Sequence, residues 1–290
     1  SICSVWNTKI MSKSMKCLLY HIIALSSLCC INACTQAQES KSVIPTEKAD
    51  SIPSTTEIPS GVRALLASYP DFIKSYSDGR LTLSNGEEVI YDDKKEKTFV
   101  ERMDGADIED MFTQPYDTSV WMPSRNYDPG RIRNEKLMKY MYGATAQEVS
   151  KNLVKVKWFG QQLRFSKING AADSLRAVEK ELSALPASYR KYFDQSSTFN
   201  WRKVRGSDRL SAHSYGMTID ICTKYSDFWR WKNPGKEEMD EINYVNRIPK
   251  EIIRIFEKHG FISGARWYHY DTMHFEFRPD LIHHYSRKTK

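Results

Sequence analysis

Two short stretches near the C-terminus constrain the fold more than anything else in the chain. One is Ser211-Ala-His213-Ser-Tyr-Gly216-Met-Thr-Ile-Asp220; the other is Trp267-Tyr-His269-Tyr-Asp271-Thr-Met-His274-Phe-Glu276. Their imidazoles and carboxylates read as a mononuclear zinc site of the hydrolytic kind, which takes three protein ligands and leaves a fourth position for water. His213, Asp220 and His274 supply the three, for one zinc per chain. Asp271, one turn before the last ligand, is placed to act on the water. Ligands on one helical face lie three or four residues apart, whereas Asp220 is seven residues beyond His213. The first stretch therefore reads as a turn at Gly216 running into a strand over residues 217–222. His274 opens a second strand with alternating faces, so His274 and Glu276 share one side while Phe275 and Phe277 pack on the other. Ligands on sheet, with the base on the adjoining turn, make a preorganised site.

These residues resemble the zinc peptidases that cut peptidoglycan stem peptides. That family covers D-alanyl-D-alanine carboxypeptidases of the vancomycin-resistance type and L-alanyl-D-glutamate endopeptidases of phage and bacterial origin. Its pattern, S-x-H-x-x-G-x-x-x-D and later W-x-x-x-D-x-x-H-F, is met at every fixed position: Ser211, His213, Gly216, Asp220, Trp267, Asp271, His274 and Phe275. The resemblance implies metal ligation by His213, Asp220 and His274 and an acid/base role for Asp271. Some relatives carry Glu there; Asp looks more like the endopeptidase-type branch. Phe199-Asn-Trp-Arg202, Arg209-Leu-Ser211 and Phe256-Glu-Lys-His-Gly260-Phe261 also look like family framework. The run from Tyr69-Pro70 through Ile108-Glu-Asp-Met-Phe112 looks like the N-terminal part of a lipoprotein-like subgroup. The resemblance covers roughly residues 60–285 and is most specific after 199. One departure is Ser263-Gly-Ala-Arg266, where a Gly-Gly is expected before the Trp.

The first residues read as a leader. Lys13 and Lys16 precede an apolar run over residues 17–30, short for a membrane span, that ends in Ile31-Asn-Ala-Cys34. This resembles a lipobox, so residues 1–33 are expected to be a lipoprotein signal peptide. Lipid on Cys34 would then anchor the chain in the cell envelope, facing the periplasm or the outside. Residues 34–58 are rich in Ser, Thr, Pro, Glu and Gln, the composition of a flexible tether. Of the formal charge of +7, Lys9, Lys13 and Lys16 belong to the leader, leaving +4 spread without a basic run. That excludes a nucleic-acid footprint and is compatible with an anionic wall polymer. Beyond the leader and Cys34, only Cys222 remains, so no disulfide framework is possible. Cys222 reads as a buried small hydrophobe rather than a fourth ligand, because a hydrolytic zinc needs its fourth position open.

Helices are expected over residues 62–69, 134–142 and 175–185, with another starting at Pro249, and a capping box at Thr145 and Glu148. Residues 81–91 read as a hairpin about Asn85-Gly86, and 153–159 with 163–168 as paired strands. Intermixed helices and antiparallel strands make the class α+β. The resemblance implies a small antiparallel sheet flanked by helices, as in hedgehog-type D-Ala-D-Ala peptidase folds. Residues 59–150 would be an N-terminal extension, its charged stretch over residues 87–97 a solvated edge, and residues 151–290 the zinc peptidase catalytic domain.

The implied reaction is hydrolysis of a stem-peptide bond, with the peptidoglycan stem peptide as partner. Burial by Trp267 and Tyr270 would raise the pKa of Asp271 into a useful range. A cation is needed for the oxyanion and a substrate carboxylate; Arg202 is the first candidate and Arg209 the second. Ser211 either binds substrate or orients its turn. Glu276 shares the strand face of His274 and so has the better claim to support it, ahead of His269. The alternative is a non-catalytic, zinc-containing lipoprotein that binds the cell wall, against which stands the retained base, Asp271.

Overall fold

The computed structural model describes residues 57–288. The leader, Cys34 and most of the tether lie outside these residues. The chain divides into units 1–54 and 55–290, and all that follows concerns the second.

The elements run α1 (Ser60–Ser68), β1 (Ile73–Ser77), β2 (Arg80–Leu83), β3 (Glu88–Ile90), α2 (Phe99–Gly105), α3 (Glu135–Tyr142), α4 (Ala146–Lys151), β4 (Leu153–Trp158), β5 (Gln161–Ser166), α5 (Ala171–Leu182), β6 (Thr218–Asp220), α6 (Trp229–Lys232), α7 (Lys250–Lys258), β7 (Phe261–Ser263), β8 (His274–Phe277) and α8 (Pro279–Lys288). The class is α+β. Three small antiparallel sheets, ordered β1-β2-β3, β4-β5 and β6-β8-β7, are flanked by helices. No helix among the described residues is long and apolar enough to cross a membrane.

Local chemistry accounts for most boundaries. Asn134 caps α3 by accepting the Leu137 N–H at 2.8 Å. Thr145 likewise accepts the Glu148 N–H at 3.2 Å, but Glu148 takes the Ala144 N–H rather than that of Thr145, so only half of the expected box forms. A complete box closes α2 instead, between Thr98 and Glu101. The charged stretch after β3 is less of a solvated edge than its composition suggests. Lys97, only 9% exposed, joins Asp93, Asp107 and Asp110 at 3.1, 3.0 and 2.6 Å.

The core is continuous across residue 150. Val62, Leu65, Leu81 and Met138 belong to the same buried cluster as Phe165, Leu175, Phe256 and Phe275. Helix α7 turns Ile252, Ile255 and Phe256 inward, and the Phe256 ring stacks on Phe275 of β8 at 3.8 Å. The C-terminal end of α1 is tied to α8 through the buried Tyr69, whose hydroxyl donates to Asp280 at 2.9 Å.

The sheet β6-β8-β7 carries the chemistry. Its register pairs Asp220 with His274, Ile219 with Phe275 and Thr218 with Glu276. With a period of two, Ile219, Phe275 and Phe277 enter the core, and Asp220, His274 and Glu276 are left on the opposite face.

Candidate metal centre

His213 arrives from a 3-10 turn, Ala212–Tyr215, which ends at Gly216 in a left-handed conformation (φ 68). A Cβ there would also lie 2.4 Å from the Leu153 side-chain tip, which can shift, so the left-handed backbone is what calls for glycine. From Gly216 the chain enters β6 and delivers Asp220, the cross-strand neighbour of His274. The strand is shorter than residues 217–222: after Asp220, Ile221 N–H bonds Met273 and Cys222 N–H bonds Tyr192. Cys222 is buried and free, and it is not part of the ligand cluster.

Asp220 bridges the two imidazoles. Its Oδ2 lies 3.1 Å from His213 Nε2 and its Oδ1 lies 3.1 Å from His274 Nδ1. The ligand atoms of His213, Asp220 and His274 all fall within 4.8 Å of one another, close enough to hold a metal ion. The far side of each ring is anchored. His213 Nδ1 donates to the Thr198 carbonyl at 2.6 Å, and His274 Nε2 lies 3.5 Å from Glu276. A metal-binding imidazole needs that outer partner to fix its tautomer and orientation. It leaves His213 Nε2 and His274 Nδ1 as the inward nitrogens, so the donor set fits zinc. Glu276 is itself held by Arg133 at 3.3 Å and Arg278 at 3.4 Å.

Burial opposes charge on His274, but the hydrogen bonds to Asp220 and Glu276 outweigh it and raise its pKa to about 10. Burial likewise disfavours charge on Asp220, yet His213 and His274 hold its carboxyl well below the usual range. The metal-free pair therefore keeps a proton that an ion must displace.

Asp271 sits on the turn before β8, its carbonyl accepting the His274 N–H at 3.0 Å. Its Oδ1 is buried without a hydrogen-bond partner. Burial, and then the charge of Asp220, raise its pKa to about 6. The turn is packed on Gly264, whose carbonyl accepts the Asp271 N–H at 3.1 Å. One glycine does this work. The next position, Ala265, is buried in the core, so the missing second glycine leaves the loop in place.

The substrate-binding candidates fall differently. Arg202 is exposed, and among the described residues its guanidinium meets only the Lys203 carbonyl, at 3.4 Å. Its backbone is clamped instead: Ser214 Oγ accepts the Arg202 N–H at 3.0 Å and donates to its carbonyl at 2.8 Å. Ser211 is buried at the head of the 3-10 turn without a capping bond from its side chain. Arg209 is half-buried in a recess shared with Arg131 and Arg133. His269 is buried against Asp128, at 2.6 Å from its Nδ1, in the position of a structural anchor.

A histidine from a turn meeting an aspartate and a histidine paired across two strands, with a buried carboxylate beside them, is the layout of a metallopeptidase centre. Residues 205–277, the segment holding His213, Asp220, Asp271 and His274, match the family model described as D-alanyl-D-alanine carboxypeptidase. That match supports the family read from the motifs, and with it a peptidase. Arg131, Arg133 and Arg202 lie outside the matched residues. No curated protein and no solved structure matches the chain.

Proposed function

We propose that the protein is a zinc-dependent peptidase that hydrolyses peptidoglycan stem peptides, of the D,D-carboxypeptidase or L-alanyl-D-glutamate endopeptidase type. The observation that carries this reading is the convergence of His213, Asp220 and His274 beside the buried carboxylate of Asp271. Zinc bound there would supply Lewis-acid chemistry, polarising a carbonyl and acidifying water. Asp271 takes the proton of the attacking water and returns it to the leaving amine. Burial and the charge of Asp220 push the Asp271 carboxyl up, to about 6 in the metal-free chain, the direction that favours returning the proton, whereas an ordinary aspartate is too acidic to donate well. His213 and His274 are kept in their ligating orientations by Thr198 and Glu276. Lipid on Cys34 holds the enzyme at the cell envelope, within reach of the wall.

Digestion of purified muropeptides followed by mass spectrometry tests the reading and names the bond cut. Asp271→Asn should retain about one zinc per chain and lose at least ~10²-fold in hydrolysis, the scale of a positioned acid/base. A zinc-loaded wild-type protein that cleaves no muropeptide would favour the non-catalytic wall-binding lipoprotein.

A further inference from the structure

The turn that carries Asp271 has a neighbour outside the sheet β6-β8-β7. Phe228 pairs with Asp271 in an isolated antiparallel bridge. The Trp229 N–H closes it on the Tyr270 carbonyl and the Thr272 N–H on the Asp227 carbonyl, both at 2.9 Å. Phe228 and Asp271 are therefore a non-hydrogen-bonded pair, the kind whose side chains leave one face and lie closest together. The Phe228 ring stands beside the carboxylate of the base.

The segment that brings it there is fixed. The Asp227 N–H donates to Thr272 Oγ1 at 2.8 Å, and the buried Asp227 carboxylate takes the Arg247 Nε–H at 2.9 Å and Lys232 at 3.3 Å. Trp229 is buried, its ring 4.9 Å from that of His269. Trp231 is placed the opposite way. It is 60% exposed, the one exposed aromatic among the described side chains, and it meets the Phe228 ring edge-on at 5.5 Å. Its long neighbours do not cover it: Arg230 lies over Trp229 at 4.4 Å, and Lys232 turns to Asp227. Phe228 and Trp231 thus make an aromatic wall that starts at the base and runs out to solvent, on backbone that needs no ordering when a ligand arrives.

A cross-strand pair sets its side-chain roots about 5 Å apart, so with the second ring 5.5 Å beyond the first the indole stands roughly 10 Å from the base. An extended chain covers about 3.5 Å per residue, so the indole lies ~3 residue lengths from the scissile bond. The side chains of a stem peptide are methyls and charged chains. The broad apolar surface of such a substrate is the C–H face of the pyranose that carries the stem, whose weakly positive hydrogens suit the negative face of an indole. Only an alanine and the lactyl ether separate that ring from an L-alanyl-D-glutamate bond, whereas nearly the whole stem separates it from a D-alanyl-D-alanine bond.

We propose that Phe228 and Trp231 form a sugar-binding platform on which the pyranose carrying the stem peptide stacks, and that this platform directs the centre to the L-alanyl-D-glutamate bond. This rests on the peptidase reading for its substrate.

The test is calorimetric binding to the zinc-loaded full chain carrying Asp271→Asn, which removes turnover. One ligand is N-acetylmuramyl-L-alanyl-γ-D-glutamyl-L-lysine; the other is the same peptide with a lactyl group in place of the whole sugar. The sugar-bearing ligand should bind at least about tenfold more tightly, the scale of an aromatic stacking contact with the area it covers. Adding Trp231→Ala should abolish that preference and leave the lactyl peptide within about twofold, while Trp231→Phe keeps part of the preference. Unchanged zinc content and melting temperature show that each variant is folded. The wild-type chain should cut the sugar-bearing pentapeptide after L-alanine, read by mass spectrometry. Equal binding of the two ligands, no binding of either, a preference that survives Trp231→Ala, an equal loss for both ligands in that variant, or release of D-alanine instead overturns the proposal. A wild-type chain that cleaves without any preference for the sugar refutes the platform and keeps the peptidase; a preference in a chain that cleaves nothing refutes the peptidase reading and leaves the platform standing.

Discussion

Gly264→Ala should disable the centre from outside the motif. Gly264 opens the 3-10 turn Gly264–Arg266, has no left-handed φ, and receives the Asp271 N–H on its carbonyl. Alanine therefore suits its backbone, and the whole cost is steric. The new methyl would sit 2.3 Å from the Asp271 carbonyl oxygen and 3.1 Å from its carbonyl carbon, where ordinary contact begins at 3.4 Å. One of the two segments must retreat by the difference, about 1.1 Å. The two Asp271 atoms are backbone and cannot rotate away, and the Trp267 ring at 3.1 Å closes the other side. Because the same carbonyl accepts the His274 N–H, the retreat moves the base and pulls on a ligand together. A misplacement of about 1 Å at a reacting centre costs ~10²-fold in rate, and overpacking a closed site costs ~1–3 kcal/mol of stability. Muropeptide turnover and thermal melting would be measured on Gly264→Ala beside Gly105→Ala, where an added methyl meets nothing within 4 Å. Turnover of Gly264→Ala within threefold of wild type, with an unchanged melting temperature, would refute the idea that this contact sets the position of Asp271.

His213→Ala and His274→Ala should each lose tight zinc binding; stoichiometric metal by elemental analysis in both would remove the ligand set. Asp271 also predicts a pH signature in the metal-free chain. Its carboxyl titrates near 6 when folded and near ~3.9 when unfolded, so its protonated form adds stability below about pH 4 that is lost as pH rises through 6. Chelator-treated Asp271→Asn should thus melt above wild type at pH 8, with the gap closing towards pH 4; a gap independent of pH would contradict the raised pKa. Cys34→Ala should move the protein from the membrane to the soluble fraction with its zinc retained, and a variant that stays membrane-bound would point to an anchor helix.

What the sequence made legible was local. Alternation in His274-Phe-Glu-Phe told which side chains share a face, and Gly216 marked the turn before Asp220; together they yield the cross-strand pair Asp220–His274. The end of β6 was not legible, because Ile221 N–H still bonds Met273 in register with β8 while Cys222 N–H turns away to Tyr192, a partner far away in sequence. The different settings of Arg202 and Arg209 were equally hidden. Both flank the first motif, but Ser214 secures the backbone of Arg202, whose side chain lies exposed, while Ser207 and the Met103 carbonyl hold Arg209 inward. Farthest from reach were Arg131 and Arg133. Nothing local says that the segment around Asp128 and Pro129 will lie against Trp267, Tyr268 and His269, some 140 residues on. Periodicity reports which face of an element is buried, and motif spacing reports which side chains a single element presents. Neither reports which distant loop completes the site. That is decided by whether a buried donor such as the Trp267 Nε1–H finds an acceptor, and here the Pro129 carbonyl meets it. Asp220 and His274 belong to the sheet and His213 to the turn that feeds it, and all three were readable locally; the arginine behind Glu276 reaches it through a tertiary contact that no local pattern announces.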